Sequence, residues 1–216
     1  MQVIKPSFII EKLPTIDDLK LLEKIGRVCY KSEDRITDDS YKTFLKGIIK
    51  RGHHSILEHI TMTVRFICDR GVSHELVRHR LCAFSQESTR YCNYRGDVTF
   101  IQPCFWEATS KAFQRWERGM QTAEALYTAA LQDGATPQEA RAYLPNSVKT
   151  EIVVTTNLRE WRHIFNLRAV GTTGAPHHQM RELMLPLLTK CYQALPIIFE
   201  DIYQAAEDKG LIKNES

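Results

Sequence analysis

A dense group of polar side chains lies between residues 78 and 90, and its residue types suit the binding of an anion. Arg78-His79-Arg80 is followed by Ser85-Gln86-Glu87-Ser88-Thr89-Arg90. Arginine presents a planar fork of N–H donors that matches phosphate oxygens. The hydroxyl groups can add donors, and an amide can both donate and accept, as the edge of a uracil-like base requires. The pattern indicates a site for an anionic ligand, and a solvated basic turn is the alternative reading of the same residues.

Histidines are concentrated in a second segment, from Gly52 to His59. His53 and His59 are six residues apart, which fits no common helical spacing of metal ligands, and no cysteine lies nearby. His74 and His79 are five residues apart and do not share a helix face well. These spacings favour hydrogen bonding and ring stacking over zinc, and we predict no metal site.

A third polar group lies on a helix that Asn157 is expected to cap. Arg159, His163 and Asn166 follow one another at spacings of four and three, which places them on one helix face. Arg168 is expected to end this helix, where a cation complements the helix dipole. Three apolar side chains of the helix are expected in the core: Trp161, Ile164 and Phe165.

The elements that position these groups can be predicted from capping residues and from the period of the apolar residues. Helices are predicted at 15–30, at 40–50, from a Ser73 cap to about 80, at 105–131, from 137 to before Pro145, at 157–168, and at 178–206 with interruptions at Pro186 and Pro196. Period-two alternation predicts strands at 60–68, 98–101 and 152–156, and 81–97 is expected to be a loop with some extended structure. We therefore expect an α/β (α+β) fold, a small sheet flanked by long helices, as a single domain over residues 1–216.

The composition is that of an ordinary globular protein, with 43% hydrophobic and 25% charged residues among 216. A formal charge of +3 is too mild for a general nucleic-acid binder, so no nucleic acid polymer is expected as a partner. No apolar run approaches the ~20 residues of a membrane span, and no signal-peptide pattern is present. We expect a cytoplasmic protein whose six cysteines, with no Cys-x-x-Cys pair, are reduced and mostly buried.

Common cofactor and catalytic motifs are absent from the sequence. It contains no Gly-x-Gly-x-x-Gly, no P-loop, no Gly-x-Ser-x-Gly and no His-Glu-x-x-His. These absences disfavour a Rossmann dinucleotide site, an ordinary kinase, an α/β-hydrolase and a zincin. A nucleotide cofactor would therefore have to bind without the usual glycine fingerprint.

Taken together, the polar groups resemble the sequence signature of the flavin-dependent thymidylate synthase family. Four separated elements in one order are far more specific than any one of them. The resemblance covers at least residues 52–168. The elements are Gly52 to His59, similar to Gly-His-x-Ser-x-Leu-Glu-His; Arg78-His79-Arg80 with Ser88 after seven residues; Arg141 with Leu144-Pro145; and Asn157-Leu158-Arg159 with His163 and Asn166-Leu167-Arg168.

The resemblance implies an enzyme that makes dTMP from dUMP. Its one-carbon donor would be 5,10-methylenetetrahydrofolate, its cofactor FAD and its reductant NADPH. It also implies a homotetramer whose active sites lie between subunits. Two alternatives use the same residues: a non-catalytic nucleotide- or RNA-binding module with the arginine cluster, and a metal-dependent phosphodiesterase with the histidines.

The resemblance also implies roles for individual residues. Arg168 would be the catalytic residue, polarising the uracil and favouring ionisation at its ring N3, and His53 would lie beside the flavin and stack with the folate ring. The dUMP ligands would be Glu75, Leu76, Val77, Arg78, Gln86, Glu87, Ser88, Thr89, Arg90, Arg141 and Arg168. The FAD ligands would be Ser55, Arg78, His79, Arg80, Gln86, Asn157, Leu158, Arg159 and His163.

This chain departs from the family pattern at two places. Ser85-Gln86 stands where the family often has Asn-Glu, and His163 stands where some members carry Asn. The implied chemistry requires no cysteine nucleophile. Ser88 has no catalytic base at a recognisable spacing, so we interpret it as a dUMP ligand.

Overall fold

Helices and short strands alternate along the chain in a computed structural model that describes residues 1–94 and 97–212. The strands are β1 (Gln2–Ile4), β2 (Ser7–Lys12), β3 (Thr61–Asp69), β4 (Ala83–Gln86), β5 (Thr99–Ile101) and β6 (Lys149–Asn157). The α-helices are α1 (Ile16–Val28), α2 (Ser40–Lys50), α3 (Arg70–Leu76), α4 (Lys111–Gln132), α5 (Pro137–Ala140), α6 (Leu158–Phe165), α7 (His178–Ala194) and α8 (Pro196–Asp208). Short 3₁₀-helices span Glu33–Arg35, His54–His59 and Arg141–Tyr143, and a π-helical turn spans Asn166–Val170.

The strands form two sheets. Four of them pair in the order β2-β3-β6-β4, and β1 pairs in parallel with β5 so that Val3 lies opposite Phe100. The chain divides into two compact units: a first unit of residues 1–9, 65–80 and 84–154, and a second unit of residues 10–64, 81–83 and 155–216. An α/β fold with small sheets and many helices agrees with the expectation from sequence. The prediction of one domain over residues 1–216 stays a prediction.

The first unit has a small apolar core beneath α4. Phe100 and Tyr127 are fully buried in it, together with Val98, Ala140 and Val148. The Tyr127 hydroxyl accepts a hydrogen bond from the Tyr94 amide at 3.2 Å. The core therefore ties the end of the 83–94 segment to the long helix.

The second unit is built on α1, α2, α6, α7 and α8. Its largest buried side chain is Trp161, whose indole N–H donates to the Met62 carbonyl at 3.0 Å. α1 begins with a capping box, in which the Asp18 carboxylate accepts from the Thr15 amide at 2.8 Å. In the part of the chain that the structure describes, no helix is long and apolar enough to cross a membrane.

Several predicted elements are confirmed. The helices at 15–30 and 40–50 are α1 and α2, and the predicted strand at 60–68 is β3. Met62, Val64, Phe66 and Cys68 are each 0% exposed, while the residues between them are half-buried, as period-two alternation requires. Asn157 caps α6 as predicted, since its side chain accepts from the Glu160 amide at 2.9 Å.

Other boundaries were predicted wrongly. The helix predicted from a Ser73 cap is α3, which begins at Arg70. Asp69 caps it by accepting from the Val72 amide at 2.7 Å, and α3 ends at Leu76 rather than near residue 80. The long helix predicted from residue 105 begins at 111, where Ser110 caps it. Pro186 lies inside α7 without ending it.

Two further differences concern the N-terminus and the cysteines. β1 and β2 were not predicted from sequence. None of the six cysteines, all of which lie in the described ranges, forms a disulfide, but only Cys68 and Cys191 are buried, so the prediction of mostly buried thiols is wrong.

Candidate functional site

The first unit carries Arg78-His79-Arg80 directly after α3. Arg78 and Arg80 are exposed, whereas His79 is 5% exposed. Among residues 1–94 and 97–212, the Arg78 and Arg80 guanidinium groups make no hydrogen bond or ion pair. Two cations whose donors are not used by the protein are therefore available to an anion. The neighbouring predicted ligands differ in exposure: Glu75 is half-buried, Leu76 is buried and Val77 is 40% exposed.

Gln86, at the end of β4, is held by two side chains of the same unit. Its amide donates to the Ser73 hydroxyl at 2.9 Å and to the Thr150 hydroxyl at 3.2 Å. Ser73 is fully buried and itself donates to the Arg70 carbonyl at 3.0 Å. The residue predicted as a helix cap therefore anchors a predicted substrate ligand instead.

The Glu87 carboxylate is held by three groups. It accepts hydrogen bonds from the Tyr94 hydroxyl at 2.6 Å, from Lys149 Nζ at 3.1 Å and from the Glu151 amide at 3.2 Å. These partners are all half-buried, and Lys149 also donates to the Glu151 carboxylate at 2.8 Å. Because three donors hold the Glu87 carboxylate in position, it restrains the 86–90 segment.

Charge and burial in this cluster shift the pKa values of its members. Burial and the hydrogen bond to Glu87 raise the pKa of Tyr94 well above its ordinary value, so its hydroxyl is protonated. Burial lowers the pKa of Lys149, but the hydrogen bonds to Glu151 and Glu87 outweigh it and the net shift is upward. The hydrogen bond from Lys149 holds the pKa of Glu151 below its ordinary value. At neutral pH Tyr94 is thus a neutral phenol, Lys149 a cation and Glu151 a carboxylate.

A cavity of about 460 Å³ opens on this cluster. It is lined by Gln86, Glu87, Lys149 and Glu151, with Arg65 at its edge donating to Glu151 at 3.3 Å. Lys149, Glu151 and Arg65 were not among the candidate site residues predicted from the sequence. A usable signal was present, because Lys149 and Glu151 are two residues apart on a strand and so share a face.

The remaining predicted dUMP ligands of the first unit lie beside one another. Arg141 donates to the hydroxyl of the buried Thr89 at 3.4 Å, and Arg90 donates to the Gln138 side chain at 2.8 Å. The Ser88 hydroxyl accepts from the Arg90 amide at 3.3 Å. Within the described ranges the Ser88 hydroxyl has no histidine or carboxylate partner, and so no base that could activate it.

The second unit holds the predicted folate and flavin residues of the 52–59 segment. His53 is exposed, and its Nδ1 lies 3.4 Å from the Tyr30 hydroxyl. Ser55 is exposed in the 3₁₀-helix that follows, and Glu58 of the same helix forms an ion pair with Arg159 at 2.5 Å. The first and fourth sequence elements are thus connected by a direct contact between Glu58 and Arg159.

α6 presents two residues of the predicted polar face, and the third, Asn166, lies in the π-helical turn that follows it. Arg159 and His163 are exposed on α6, whereas Leu158 is buried and Asn157 is half-buried and used as the cap. The apolar residues of α6 are in the core as expected: Trp161, Ile164 and Phe165. Glu160 is 7% exposed, and burial raises its pKa despite the nearby positive charges of His163 and Arg159.

Arg168 is half-buried in the π-helical turn that continues α6. The prediction that one α-helix runs to residue 168 is wrong, because the α-helix ends at Phe165. The π turn ends at Gly171, whose φ is +74°; a Cβ there would lie 2.8 Å from the Gly174 carbonyl oxygen. Single π turns are frequent at functional sites.

The predicted ligands are thus divided between the two units. Arg168 is the member of the predicted dUMP set that belongs to the second unit, and the other dUMP ligands belong to the first. The first unit contains the predicted FAD ligands Arg78, His79, Arg80 and Gln86; the second contains Ser55, Asn157, Leu158, Arg159 and His163. Their roles in binding stay predictions.

Comparison with known proteins gives the family context. Residues 12–197 match the family described as thymidylate synthase complementing protein. A protein of Geobacter sulfurreducens named flavin-dependent thymidylate synthase is 36% identical over 184 residues, which cover 82% of this chain and 78% of that protein. A protein of Pyrococcus furiosus with the same name is 33% identical over 190 residues, which cover 86% of this chain and 78% of that protein.

The fold also matches a solved structure. The UMP/dUMP methylase PolB of Streptomyces cacaoi, bound with 5-Br dUMP, superposes with a TM-score of 0.80 at 19% sequence identity. The superposition covers 98% of this chain and 99% of the other. At this identity the match supports the fold.

Proposed function

This chain belongs to the flavin-dependent thymidylate synthase family, and we propose that it converts dUMP to dTMP with 5,10-methylenetetrahydrofolate as one-carbon donor, NADPH as reductant and FAD as cofactor. It is an enzyme of this type rather than a non-catalytic nucleotide- or RNA-binding module. We also propose that it is a cytoplasmic, single-domain protein over residues 1–216 that assembles as a homotetramer with active sites between subunits.

The observation that carries the proposal is the state of the arginine cluster in the first unit. Arg78 and Arg80 present guanidinium groups that the described residues leave unused, while Arg141 is already directed to Thr89. Arginine guanidinium groups suit the dianionic phosphate of a nucleotide. Gln86, anchored by Ser73 and Thr150, adds an amide of fixed orientation that supports recognition of a base edge.

Three of the six cysteines are poorly suited to act as a nucleophile. Burial raises the pKa of Cys82 to about 11 and that of Cys191 to about 12, and it raises the pKa of Cys68 further. These three cysteines are therefore thiols, not thiolates, at neutral pH, and the thiolate is the nucleophilic form. Ser88 lacks a base, which supports its role as a ligand of dUMP.

The proposed catalytic contribution of Arg168 is electrostatic. Its guanidinium would lie beside the uracil and stabilise the negative charge that develops when the ring is ionised at N3. Its half-buried position favours this role, because a cation partly removed from water acts more strongly on a neighbouring charge.

The donor set fits an anionic dinucleotide such as FAD. In the first unit, Arg78, His79 and Arg80 would supply cationic or N–H groups for its phosphates. In the second unit, Arg159 and the exposed hydroxyl of Ser55 would be further ligands. Bound FAD would supply the hydride that reduces the pyrimidine, and NADPH would replenish it. The residues of this chain orient the reacting groups, and His53 is proposed to stack with the folate ring.

The direct test is to measure dTMP formation by the purified protein from dUMP, methylenetetrahydrofolate and NADPH, and to omit each in turn. We expect no product when any of the three is missing. Product formation without NADPH, or loss of activity with a metal chelator, would contradict the proposal and would favour the metal-dependent alternative.

Cofactor and assembly give one prediction. We expect a yellow protein with noncovalent FAD and a tetrameric mass, because a short chain must build sites for three ligands from few elements. An absorbance scan before and after denaturation identifies the flavin, and light scattering during size-exclusion chromatography gives the mass. A flavin-free monomer that still produced dTMP would disprove both parts.

Ser88 gives another prediction. Ser88→Ala should weaken dUMP binding by about 0.5–1.5 kcal/mol, or roughly 2- to 12-fold, and leave measurable turnover, because one hydroxyl hydrogen bond is lost. An obligate nucleophile would instead lose all turnover. Equilibrium binding of dUMP and the rate at saturating dUMP separate the two cases, and Ser110→Ala on the α4 cap serves as a serine control. Detection of a covalent Ser88–uridylate adduct would contradict the ligand role.

A further inference from the structure

A second cationic site lies in the second unit, outside every segment assigned above. It is a pocket of about 350 Å³, which we call the basic pocket. The side chains that define it are four cations and two aromatic rings: Arg27, Lys31, Arg35, Arg51, Tyr30 and Phe44.

The basic pocket carries more positive than negative charge. Arg27 is matched by Glu23, which is 1% exposed and accepts from Arg27 at 2.7 Å and 3.0 Å. The side chains of Lys31, Arg35 and Arg51 make no ion pair or hydrogen bond with the residues that the structure describes. Within those residues the lining contains one carboxylate, Asp34, so two positive charges are left over even when Glu23 is counted.

Lys31 is held in an unfavourable backbone conformation at this pocket. Its φ is +48°, and among the described residues it is the one non-glycine residue with a positive φ. The chain turns there immediately after α1, where the Ser32 amide bonds to the Arg27 carbonyl at 3.3 Å. Glycine would adopt this conformation without strain, and backbone strain is concentrated at functional sites. Lysine at this position supplies a positive charge to the pocket, although glycine would form the same turn with less strain.

Helix-end electrostatics account for part of the cluster only. Arg27 lies in the last turn of α1 and Arg51 caps the end of α2, where cations complement the helix dipoles. Lys31 and Arg35 lie beyond these turns. The Arg27 guanidinium also stacks over the Phe44 ring, 4.7 Å from its centroid, which fixes one wall of the pocket.

We propose that the basic pocket binds the multiply charged anionic end of a co-substrate. The identity of that ligand rests on the proposed function: carboxylates of a folate oligo-γ-glutamate tail or the 2′-phosphate of NADPH carry the required chemistry. Spaced cations around an open pocket suit either anion. The Tyr30 hydroxyl, 3.4 Å from His53, connects the pocket to a residue of the proposed folate site.

The test measures what the anionic end adds to binding. In equilibrium titrations at low salt, the affinity of tetrahydrofolate pentaglutamate is compared with that of the monoglutamate, and the affinity of 2′,5′-ADP with that of 5′-AMP. Lys31→Gly removes the charge and relieves the turn, so it should fold at least as well as the wild type. Lys31→Arg restores the charge, and Lys24→Ala removes an exposed cation of α1 that does not line the pocket.

We expect one of the two affinity ratios to fall about tenfold in Lys31→Gly, to recover in Lys31→Arg and to stay unchanged in Lys24→Ala. The ratio that falls identifies the ligand as folate tail or phosphate. Unchanged ratios in Lys31→Gly, or a loss of flavin affinity in their place, would overturn the proposal. Since these titrations require no turnover, a protein that binds the anion yet makes no dTMP would refute the proposed function alone.

Discussion

Replacing Arg168 by lysine is expected to lower dTMP formation by about 10²–10³-fold in a protein that folds and retains flavin, because a positioned transition-state donor is lost. Lysine keeps the positive charge and its favourable interaction with the helix end, but it lacks the planar fork of donors. NADPH oxidation should decline much less, since reduction of the flavin does not require charge stabilisation on the uracil.

The experiment measures both half-reactions on one preparation of Arg168→Lys. Arg181→Lys is the matched control, because Arg181 donates to the Ala169 carbonyl at 3.2 Å and so contacts the same π turn. The control should keep most of the dTMP rate. A rate near wild type for Arg168→Lys would mean that Arg168 has a structural role only, and equal losses in the two arginine variants would mean that the π turn had been disturbed.

A second large effect is expected on stability, at the contact that fixes α6 to α8. Arg162 is 5% exposed, donates to the Asp201 carboxylate at 2.8 Å and 2.6 Å, and also donates to the Ile198 carbonyl. Asp201→Ala leaves this guanidinium buried without its counter-charge and should lower the free energy of unfolding by about 3 kcal/mol. The value is at the low end of the range for buried pairs because the Asp201 side chain is 56% exposed.

Urea unfolding at neutral pH, with Glu200→Ala as control, tests this expectation. Glu200 lies next to Asp201 and pairs with Lys46 at 2.9 Å, with side chains 53% and 68% exposed, so its loss should cost less than about 1 kcal/mol. Equal effects of the two substitutions would show that burial of Arg162 is not important for stability.

The same ion pair predicts a pH dependence. Burial raises the pKa of Asp201, but the hydrogen bond and charge of Arg162 outweigh it, and the net shift is downward from the ordinary value of 3.8. A carboxylate whose folded-state pKa is depressed stabilises the protein fully above the unfolded-state pKa. That contribution is lost as the pH falls through the folded-state pKa, so the difference between wild type and Asp201→Ala should shrink in acid.

Local signals in the sequence predicted the elements around the site well. Capping by Thr15 and Asn157 and the alternation in β3 depend on residues close in sequence, and all three are confirmed. The start of α3 was misplaced because the sequence Asp69-Arg70-Gly71 suits a turn as well as it suits a helix cap. The structure shows that Asp69 accepts from the Val72 amide and that Ser73 is buried.

Non-local contacts were beyond the reach of sequence patterns. Glu87 lies more than sixty residues from Lys149 and Glu151, and β6 brings them together. β1 is three residues long and pairs with β5, which is distant in sequence, so its own sequence gives little indication of a strand. The resemblance to a family supplied the candidate ligands, but it could not show that Gln86 and Glu87 are held by protein groups.

Trp161 gives the second unit a built-in optical probe. Its indole is 0% exposed and bonded to a backbone carbonyl, whereas Trp106 of the first unit is 38% exposed. A shielded indole emits at shorter wavelength than one in water, but the emission of Trp106 and Trp116 overlaps with that of Trp161. With Trp106 and Trp116 replaced by phenylalanine, the remaining fluorescence would report α6 alone, and energy transfer to an added flavin could be timed in a stopped-flow instrument.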